Sequence, residues 1–223
     1  MKKGFIFDLD GVIVDTAKYH YLAWKKLANN IGIDFSEAQN EHLKGVSRVR
    51  SLEKILEWGN KTLSEDQFIG LMSKKNNDYL NYIDEMDENE ILPDVTKILD
   101  YLLKQEQTIA LGSASKNARV ILERVKLIEK FDAIVDGNDV SHAKPNPEVF
   151  LKAAMLLQMR AEDCVVFEDS VAGIQAANNA QMISVGIGEA SILNEADYVF
   201  KDFTEISTEF LEKLKCIEKK IIK

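Results

Sequence analysis

Residues 5–16 read FIFDLDGVIVDT, and this stretch decides the fold. Its apolar run ends in two carboxylates one residue apart, Asp8 and Asp10, and Gly11 lets the backbone turn directly after them. The pattern is typical of a buried strand that stops at an active site. One carboxylate can attack as a nucleophile while the other carries a proton, so the stretch predicts phosphoryl transfer through an aspartate.

The composition sets limits on the class of protein. A length of 223 residues with 46% hydrophobic content allows one core domain plus a smaller one. The net charge of −9 argues against nucleic acid or an anionic membrane as a partner. No apolar stretch approaches the roughly 20 residues needed to cross a bilayer, and Asp8 comes too early for a signal-peptide core. Cys164 and Cys216 lack metal-ligand spacing, so we expect reduced thiols and a cytoplasmic location. We also expect a monomer.

Short apolar runs alternate with amphipathic segments along most of the chain. The segment after Pro93 and the segment after Ser170, which can serve as an N-cap, both have helical spacing. This alternation predicts a doubly wound, mostly parallel α/β sheet, a Rossmann-like core with ligands at the carboxyl ends of its strands. The predicted strands are Gly4–Asp8, Thr108–Gly112, Ala133–Val135, Cys164–Phe167 and Ile183–Ile187.

Residues 16–86 depart from this alternation of predicted strands and helices. Apolar side chains recur there at helical intervals, and no convincing strand is present. We therefore predict an all-helical cap domain, 16–86, inserted after the first strand of a catalytic core formed by residues 1–15 and 87–223. An insert at this place lies over the strand ends and can act as a lid.

Polar residues follow other predicted strands as well. Ser113 follows the second strand, and Glu168 and Asp169 follow the fourth. Lys144 lies in a stiff Lys-Pro-Asn-Pro loop that can present its ammonium reproducibly. Simpler roles for these residues are helix capping, an acidic first helical turn favoured by the helix dipole, and a surface lysine.

Four of these elements, taken in order, resemble the motifs of the haloacid dehalogenase-like phosphotransferase superfamily. They are Asp8-Leu9-Asp10-Gly11-Val12, Ser113, Lys144-Pro145 and Glu168-Asp169. The resemblance implies that Asp8 is the nucleophile and Asp10 the general acid and base. It also implies a Mg²⁺ ion held by Asp8, the Asp10 backbone carbonyl and Asp169, with Glu168 in or beside the ligand set, in keeping with the oxygen ligands Mg²⁺ prefers.

The same resemblance assigns the phosphate contacts. Ser113 and Ala114 would bind the transferring phosphoryl group, and Lys116 and Asn117 a second phosphate or the sugar. Ser115 stands in the same segment, although it is as well explained as a helix cap. Lys144 would neutralise charge that develops in the transition state and pair with the catalytic carboxylates.

The predicted cap carries a second polar set. Thr16 and His20 stand four residues apart, hence on one helix face, where the histidine could contact Asp10 when the cap closes. A glycine-containing loop adds two cations, placed to hold a distal phosphate. Ser51 and Lys75 complete the proposed pocket. The loop residues are Lys44, Gly45, Val46, Ser47 and Arg48. The alternative explanation for this set is that its charged residues are ordinary, partly exposed side chains of the cap that bind no ligand.

The cap set resembles the superfamily's mutases that act on β-glucose phosphates. That resemblance implies interconversion of β-glucose 1-phosphate and glucose 6-phosphate through bound β-glucose 1,6-bisphosphate, which also primes the enzyme. Two alternatives remain at this point. One is a capped sugar-phosphate phosphatase, in which water accepts the phosphoryl group from the same aspartate. The other is a non-catalytic binding protein on the same fold.

Overall fold

A computed structural model describes residues 2–43 and 46–217. Its six strands form one parallel sheet in the order β3-β2-β1-β4-β5-β6. This is the doubly wound order, in which the chain reverses direction beside the first strand, and it confirms the predicted fold class. The strands are β1 (Gly4–Phe7), β2 (Thr108–Gly112), β3 (Ala133–Val135), β4 (Cys164–Glu168), β5 (Ile183–Ile187) and β6 (Tyr198–Phe200).

The strand register brings the carboxyl ends of the central strands level. Phe7, the last residue of β1, pairs with Leu111 on one side and with Phe167 on the other. The residues that follow Phe7 therefore emerge beside the ends of β2 and β4. This level edge is where an open α/β sheet places its ligands.

Helices cover both faces of the sheet. Phe5 and Phe7 point into a core packed with α5 and α6, whereas Ile6 points into a second core that contains Phe150 of α7. Such alternation is the period-two pattern of a strand buried on both faces. The core helices are α5 (Val95–Lys104), α6 (Ala118–Arg124), α7 (Glu148–Leu156), α8 (Val171–Asn179) and α9 (Thr208–Cys216).

Between β1 and residue 86, the described residues form four helices, which confirms the helical cap. They are α1 (Ala17–Asn30), α2 (Glu37–Glu41), α3 (Arg48–Trp58) and α4 (Glu65–Ile83). Trp24 and Ile55 belong to a separate apolar cluster, against which Phe68 near the start of α4 packs. Tyr79 and Ile83 at the other end of α4 belong instead to the main core of the sheet. The assignment of residues 16–86 to a cap domain, separate from a core domain of residues 1–15 and 87–223, stays a proposal.

The structure adds one strand and one backbone detail to the sequence-based expectation. Strand β6 was not predicted, because its three residues are only partly buried and its pairing with β5 is a long-range contact. Helix α5 begins at Val95, after Asp94 adopts a left-handed backbone conformation with φ of 60°. Among the described helices, none combines the length and apolarity that crossing a membrane requires.

Both cysteines are free thiols, but their environments differ. Cys164 is buried in β4, and burial raises the pKa of its thiol to about 12. Cys216 is exposed at the end of α9. Because the thiolate is the reactive form, we expect a maleimide to label Cys216 alone in the native protein and both thiols in denaturant. Mass spectrometry of digested protein measures this, and native labelling of Cys164 would contradict the buried position of β4.

Candidate active site

Asp8 is the first residue after β1 and lies at the floor of the cavity. Its backbone N–H donates to the Phe167 carbonyl at 3.0 Å, which continues the sheet pairing and fixes the direction of its side chain. Only 4% of Asp8 is exposed. Burial raises the pKa of Asp8 to about 7; the Lys144 ammonium opposes this rise, and the neighbouring acids add to it.

Lys144 bridges two carboxylates beneath the cavity. Its Nζ lies 2.8 Å from Asp8 Oδ1 and 2.5 Å from Glu168 Oε1, and all three side chains are buried. Burial alone lowers the pKa of Lys144, but the two carboxylates outweigh it, so the pKa lies above its ordinary value. The ammonium is therefore permanently charged and holds Asp8 in one orientation.

The acidic side chains at the strand ends can hold a divalent cation. Asp8, Glu168 and Asp169 each offer a carboxylate oxygen, and these oxygens lie within 4.8 Å of one another. Three carboxylates face one ammonium, and hard oxygen donors beside an excess of negative charge suit a divalent cation. The acidic cluster is thus compatible with the Mg²⁺ expected from the sequence.

Two glycines permit this packing. Gly11 has a φ of 76°, and a Cβ at this residue would collide with Asp169 Oδ2. A Cβ at Gly173 of α8 would collide with the Glu168 carboxylate. Glu168 is also fixed by Ser170, whose backbone N–H and hydroxyl donate to Glu168 Oε2 at 2.8 and 2.9 Å. Ser170 caps α8 as expected, but its hold on Glu168 was not predicted from the sequence.

Asp10 faces the cap instead of the acidic cluster. The Thr16 hydroxyl donates to Asp10 Oδ1, and His20 Nε2 lies 3.9 Å from the same oxygen. Burial raises the pKa of Asp10, although the Thr16 hydrogen bond and the charges of Lys144 and Lys75 oppose the rise. A carboxyl with a raised pKa next to a nucleophile suits proton transfer.

His20 connects Asp10 to a buried lysine. Lys75 Nζ lies 3.1 Å from His20 Nδ1. Burial lowers the pKa of His20 well below its ordinary value, and the charges of Lys75 and Arg48 lower it further. The imidazole is therefore neutral at pH 7. With Nδ1 accepting from the Lys75 ammonium, Nε2 carries the hydrogen and points it towards Asp10.

Lys75 and Arg48 form a positive region on the cap side of the cavity. Lys75 is 2% exposed, and its ammonium lies over the rings of Trp24 and Tyr79 at 4.7 and 4.4 Å. Arg48 is half-buried at the start of α3. Within the part of the chain that the structure describes, no carboxylate forms an ion pair with either cation. A buried cation beside a half-buried one, neither in an ion pair with a described carboxylate, favours an anionic ligand.

The segment after β2 forms a chain of hydroxyl-capped turns. Ser113 is buried, its hydroxyl accepts from the Ser115 backbone N–H at 3.1 Å, and the Ser115 hydroxyl accepts from the Asn117 N–H at 3.3 Å. Ser115 therefore makes a local hydrogen bond of the kind its alternative explanation requires, but it lies two residues ahead of the N-cap of α6, Asn117. A Cβ at Gly137 would collide with the Ala114 carbonyl, so this glycine lets β3 support the segment.

One cavity of about 1270 Å³ joins these groups. Lys144 and Glu168 lie beneath it, and Ser51 of α3 is buried at its wall, where its hydroxyl donates to the Ser47 carbonyl. Lys44 and Gly45 lie outside the described residues. The predicted residues that line the cavity are Asp8, Asp10, Thr16, His20, Val46, Ser47, Arg48, Ser51, Lys75, Ser113, Ala114, Ser115, Lys116, Asn117 and Asp169.

A parallel sheet with carboxylates at its central strand ends, closed over by a helical cap, defines an α/β enzyme of the phosphoryl-transfer class. Residues 2–181 match the family described as haloacid dehalogenase-like hydrolase. The chain belongs to this family, which confirms the resemblance drawn from the four motifs.

Individual relatives are similar over most of the chain. The β-phosphoglucomutase of Bacillus subtilis (strain 168) is 42% identical over 213 residues, which are 94% of this chain and 93% of the relative. The fructose-1-phosphate phosphatase YqaB of Escherichia coli (strain K12) is 32% identical over 82% of this chain and 95% of its own length. A crystal structure of β-phosphoglucomutase from Clostridium difficile superposes with a TM-score of 0.93 at 43% identity, covering 97% of this chain and 98% of that one.

Proposed function

We propose that the protein is a β-phosphoglucomutase, which interconverts β-glucose 1-phosphate and glucose 6-phosphate. The observation that carries this proposal is the pair of cations, Arg48 and Lys75, which the cap helices α3 and α4 contribute to the same cavity as Asp8. A sugar bisphosphate needs two anion sites, one at the nucleophile and one remote from it. The two similar β-phosphoglucomutases, each matched over nearly the whole chain, support the same activity.

In the first half of the reaction, Asp8 attacks the phosphorus of the bisphosphate. A bond forms between the Asp8 carboxylate oxygen and phosphorus, the bond from phosphorus to the sugar oxygen breaks, and Asp10 gives its proton to that oxygen. Lys144 holds Asp8 in place and offsets charge on the phosphoryl oxygens. The raised pKa of Asp10 suits the acid role.

When the C1 phosphoryl group has been transferred, the product glucose 6-phosphate leaves, and the second half reverses these steps with the C6 hydroxyl of an incoming β-glucose 1-phosphate. That hydroxyl attacks phosphorus of the aspartyl phosphate, Asp10 accepts its proton, and the Asp8 carboxylate leaves. Because the bisphosphate must bind in both orientations, the distal site has to hold either phosphate. We assign this site to Arg48 and Lys75 together with Ser115, Lys116 and Asn117, and the bisphosphate also serves as primer. Ser113 and Ala114 hold the transferring group.

We further propose that the divalent cation is Mg²⁺. Asp8, Asp169 and the backbone carbonyl of Asp10 would hold it, with Glu168 in or beside the ligand set. When bound, it offsets negative charge on the phosphoryl group and the carboxylates around it. The cytoplasmic location, the monomeric state and the remaining cap contacts, including Lys44 and Gly45, stay predictions.

A capped sugar-phosphate phosphatase is the second candidate. The similarity to the fructose-1-phosphate phosphatase of Escherichia coli favours it, since both activities can use one aspartyl phosphate and differ only in the acceptor. A non-catalytic binding protein has less support, because Asp8, Asp10, Lys144 and Asp169 are all present and lie together.

One paired assay separates the two enzymes. Purified protein with Mg²⁺ is given β-glucose 1-phosphate, with and without β-glucose 1,6-bisphosphate, and glucose 6-phosphate and inorganic phosphate are measured together. We expect isomerisation to exceed phosphate release and to rise with the primer. Fructose 1-phosphate serves as a matched hydrolysis substrate. Phosphate release faster than isomerisation would overturn the mutase assignment in favour of the phosphatase.

Binding of the bisphosphate is expected to weaken above pH 7. Burial, together with the charge of Arg48, lowers the pKa of Lys75 to about 7, so its ammonium is present below that pH and is lost above it. If the bound form requires one proton on Lys75, the dissociation constant rises by about tenfold per pH unit above 7. Titration calorimetry with an Asp8→Asn variant measures this without turnover.

The matched control for that titration is Lys75→Arg, because arginine keeps its charge throughout this pH range. Its binding should change little between pH 7 and 9. An equal slope in Lys75→Arg would assign the titration to another group.

A further inference from the structure

One side-chain hydrogen bond joins the cap to the segment that follows β2. Asn117 Nδ2 donates to Asn76 Oδ1 at 3.1 Å, although the residues are 41 positions apart. Asn76 lies on α4 of the cap, and Asn117 precedes α6 of the core. Both side chains are half-buried. Within the described ranges, no other side-chain hydrogen bond links α4 to residues 113–117.

Asn76 is the neighbour in sequence of Lys75, and the two point about 100° apart around α4. Lys75 reaches His20 and, through it, Asp10. Asn76 reaches Asn117, whose backbone is fixed by the Ser115 hydroxyl. Of two consecutive residues of one helix, one therefore contacts His20 beside the proton-transfer group Asp10, and the other contacts the candidate phosphate-binding segment.

The direction of the hydrogen bond has a chemical consequence. An amide group has two donors on its nitrogen and acceptors on its oxygen. Because Asn76 presents its oxygen, the Asn117 nitrogen is held on the side of the cap. One of its N–H groups contacts Asn76, and the second stays available for a phosphate oxygen. With the amide turned over, Asn117 would present an oxygen that repels phosphate.

We infer that Asn76 is a positioning residue that acts through Asn117, orienting its amide to donate to the distal phosphate of a sugar bisphosphate. This inference rests on the proposed function, since it places that phosphate at Asn117. Asn76 also lines a smaller groove of about 420 Å³, and Arg48 lines both this groove and the large cavity. Its amphipathic helix gives no sequence cue to this role.

A double-mutant cycle tests whether Asn76 acts through Asn117. Asn76→Ala, Asn117→Ala and the double variant are compared in kcat/KM for the bisphosphate primer at a fixed, saturating concentration of β-glucose 1-phosphate. We expect Asn76→Ala to lower kcat/KM about three- to tenfold, the range for one neutral hydrogen bond, mainly by raising the KM for the bisphosphate. In the Asn117→Ala background the same substitution should have almost no further effect. Additive losses would overturn the inference, because Asn76 would then act independently of Asn117.

Asn77→Ala is the matched control, since Asn77 is the next residue on α4, is exposed, and makes no contact with Asn117. It should retain the parent kcat/KM. Asn76→Leu, which keeps the size of the side chain and removes its oxygen, should reproduce Asn76→Ala at an unchanged melting temperature. Loss of activity in Asn77→Ala as well would identify a general effect on α4 and contradict the inference.

Phosphate release is measured in the same samples. If the parent protein hydrolyses sugar phosphates without isomerising them, the proposed function fails. The double-mutant cycle can then be measured on hydrolysis of the bisphosphate instead. A failure of the inference about Asn76 is therefore distinguishable from a failure of the proposed function.

Discussion

Replacement of Asp8 by asparagine is expected to abolish both phosphoenzyme formation and turnover. An amide cannot become an acyl phosphate under these conditions, so the covalent route is closed. Removal of a covalent nucleophile costs on the order of 10⁶-fold in rate where it has been measured. Incubation with labelled bisphosphate, followed by acid quenching and mass spectrometry, measures the phosphoenzyme directly.

The fold should survive this substitution. Lys144 keeps its contact with Glu168, so its buried ammonium still has a carboxylate partner. We expect a melting temperature close to that of the parent protein. Asp66→Asn, at an exposed position in the first turn of α4, makes the same chemical change away from the cavity and should leave activity intact. Persistent labelling of Asp8→Asn would contradict the nucleophile assignment.

Replacement of Asp10 by asparagine is expected to lower kcat about 10²–10⁴-fold, the usual contribution of a positioned acid or base. The side chain keeps its size and its contact with the Thr16 hydroxyl, but it can no longer give or take a proton. Because Asp8 is unchanged, binding of the bisphosphate should change little. Steady-state kinetics measures the fall in kcat and the KM together.

Two phosphoryl donors distinguish proton transfer from other roles of Asp10. A sugar phosphate needs a proton on its leaving oxygen, whereas acetyl phosphate releases acetate without one. Asp10→Asn should therefore lose phosphoenzyme formation from the sugar bisphosphate and largely keep it from acetyl phosphate. Equal losses with both donors would point to disruption of the site rather than to loss of the acid.

Local sequence patterns were sufficient to predict which candidate site residues come together where those residues are neighbours along the chain or follow a strand. Asp8, Asp10 and Gly11 lie within four residues, and the apolar run before them is a reliable strand pattern. Glu168 likewise follows an apolar run, although the structure includes it as the last residue of β4. Since parallel strands end at one edge, local patterns sufficed to predict that these carboxylates meet.

Contacts between residues that are far apart in the sequence could not be predicted from local patterns. The contact of Lys75 with His20 depends on how α4 packs beside α1. The hydrogen bond between Asn76 and Asn117 depends on where α4 meets the core segment that follows β2. The helical pattern indicates which face of α4 is apolar, but it does not say which core segment that helix meets. Similarly, the close approach of Gly173 to Glu168 depends on the packing of α8 against β4.

Helix α4 connects the main core of the sheet to the separate apolar cluster of the cap. It is 19 residues long, about 27 Å at about 1.5 Å per residue, and its end at Ile83 is anchored in the main core, whereas its start packs in the cap. A rotation of about 10° around that anchor displaces Lys75, about 12 Å away, by about 2 Å, and Glu65 by about 5 Å. Any cap movement of this kind therefore disturbs the contacts near Asp10 least and the outer end of the cap most.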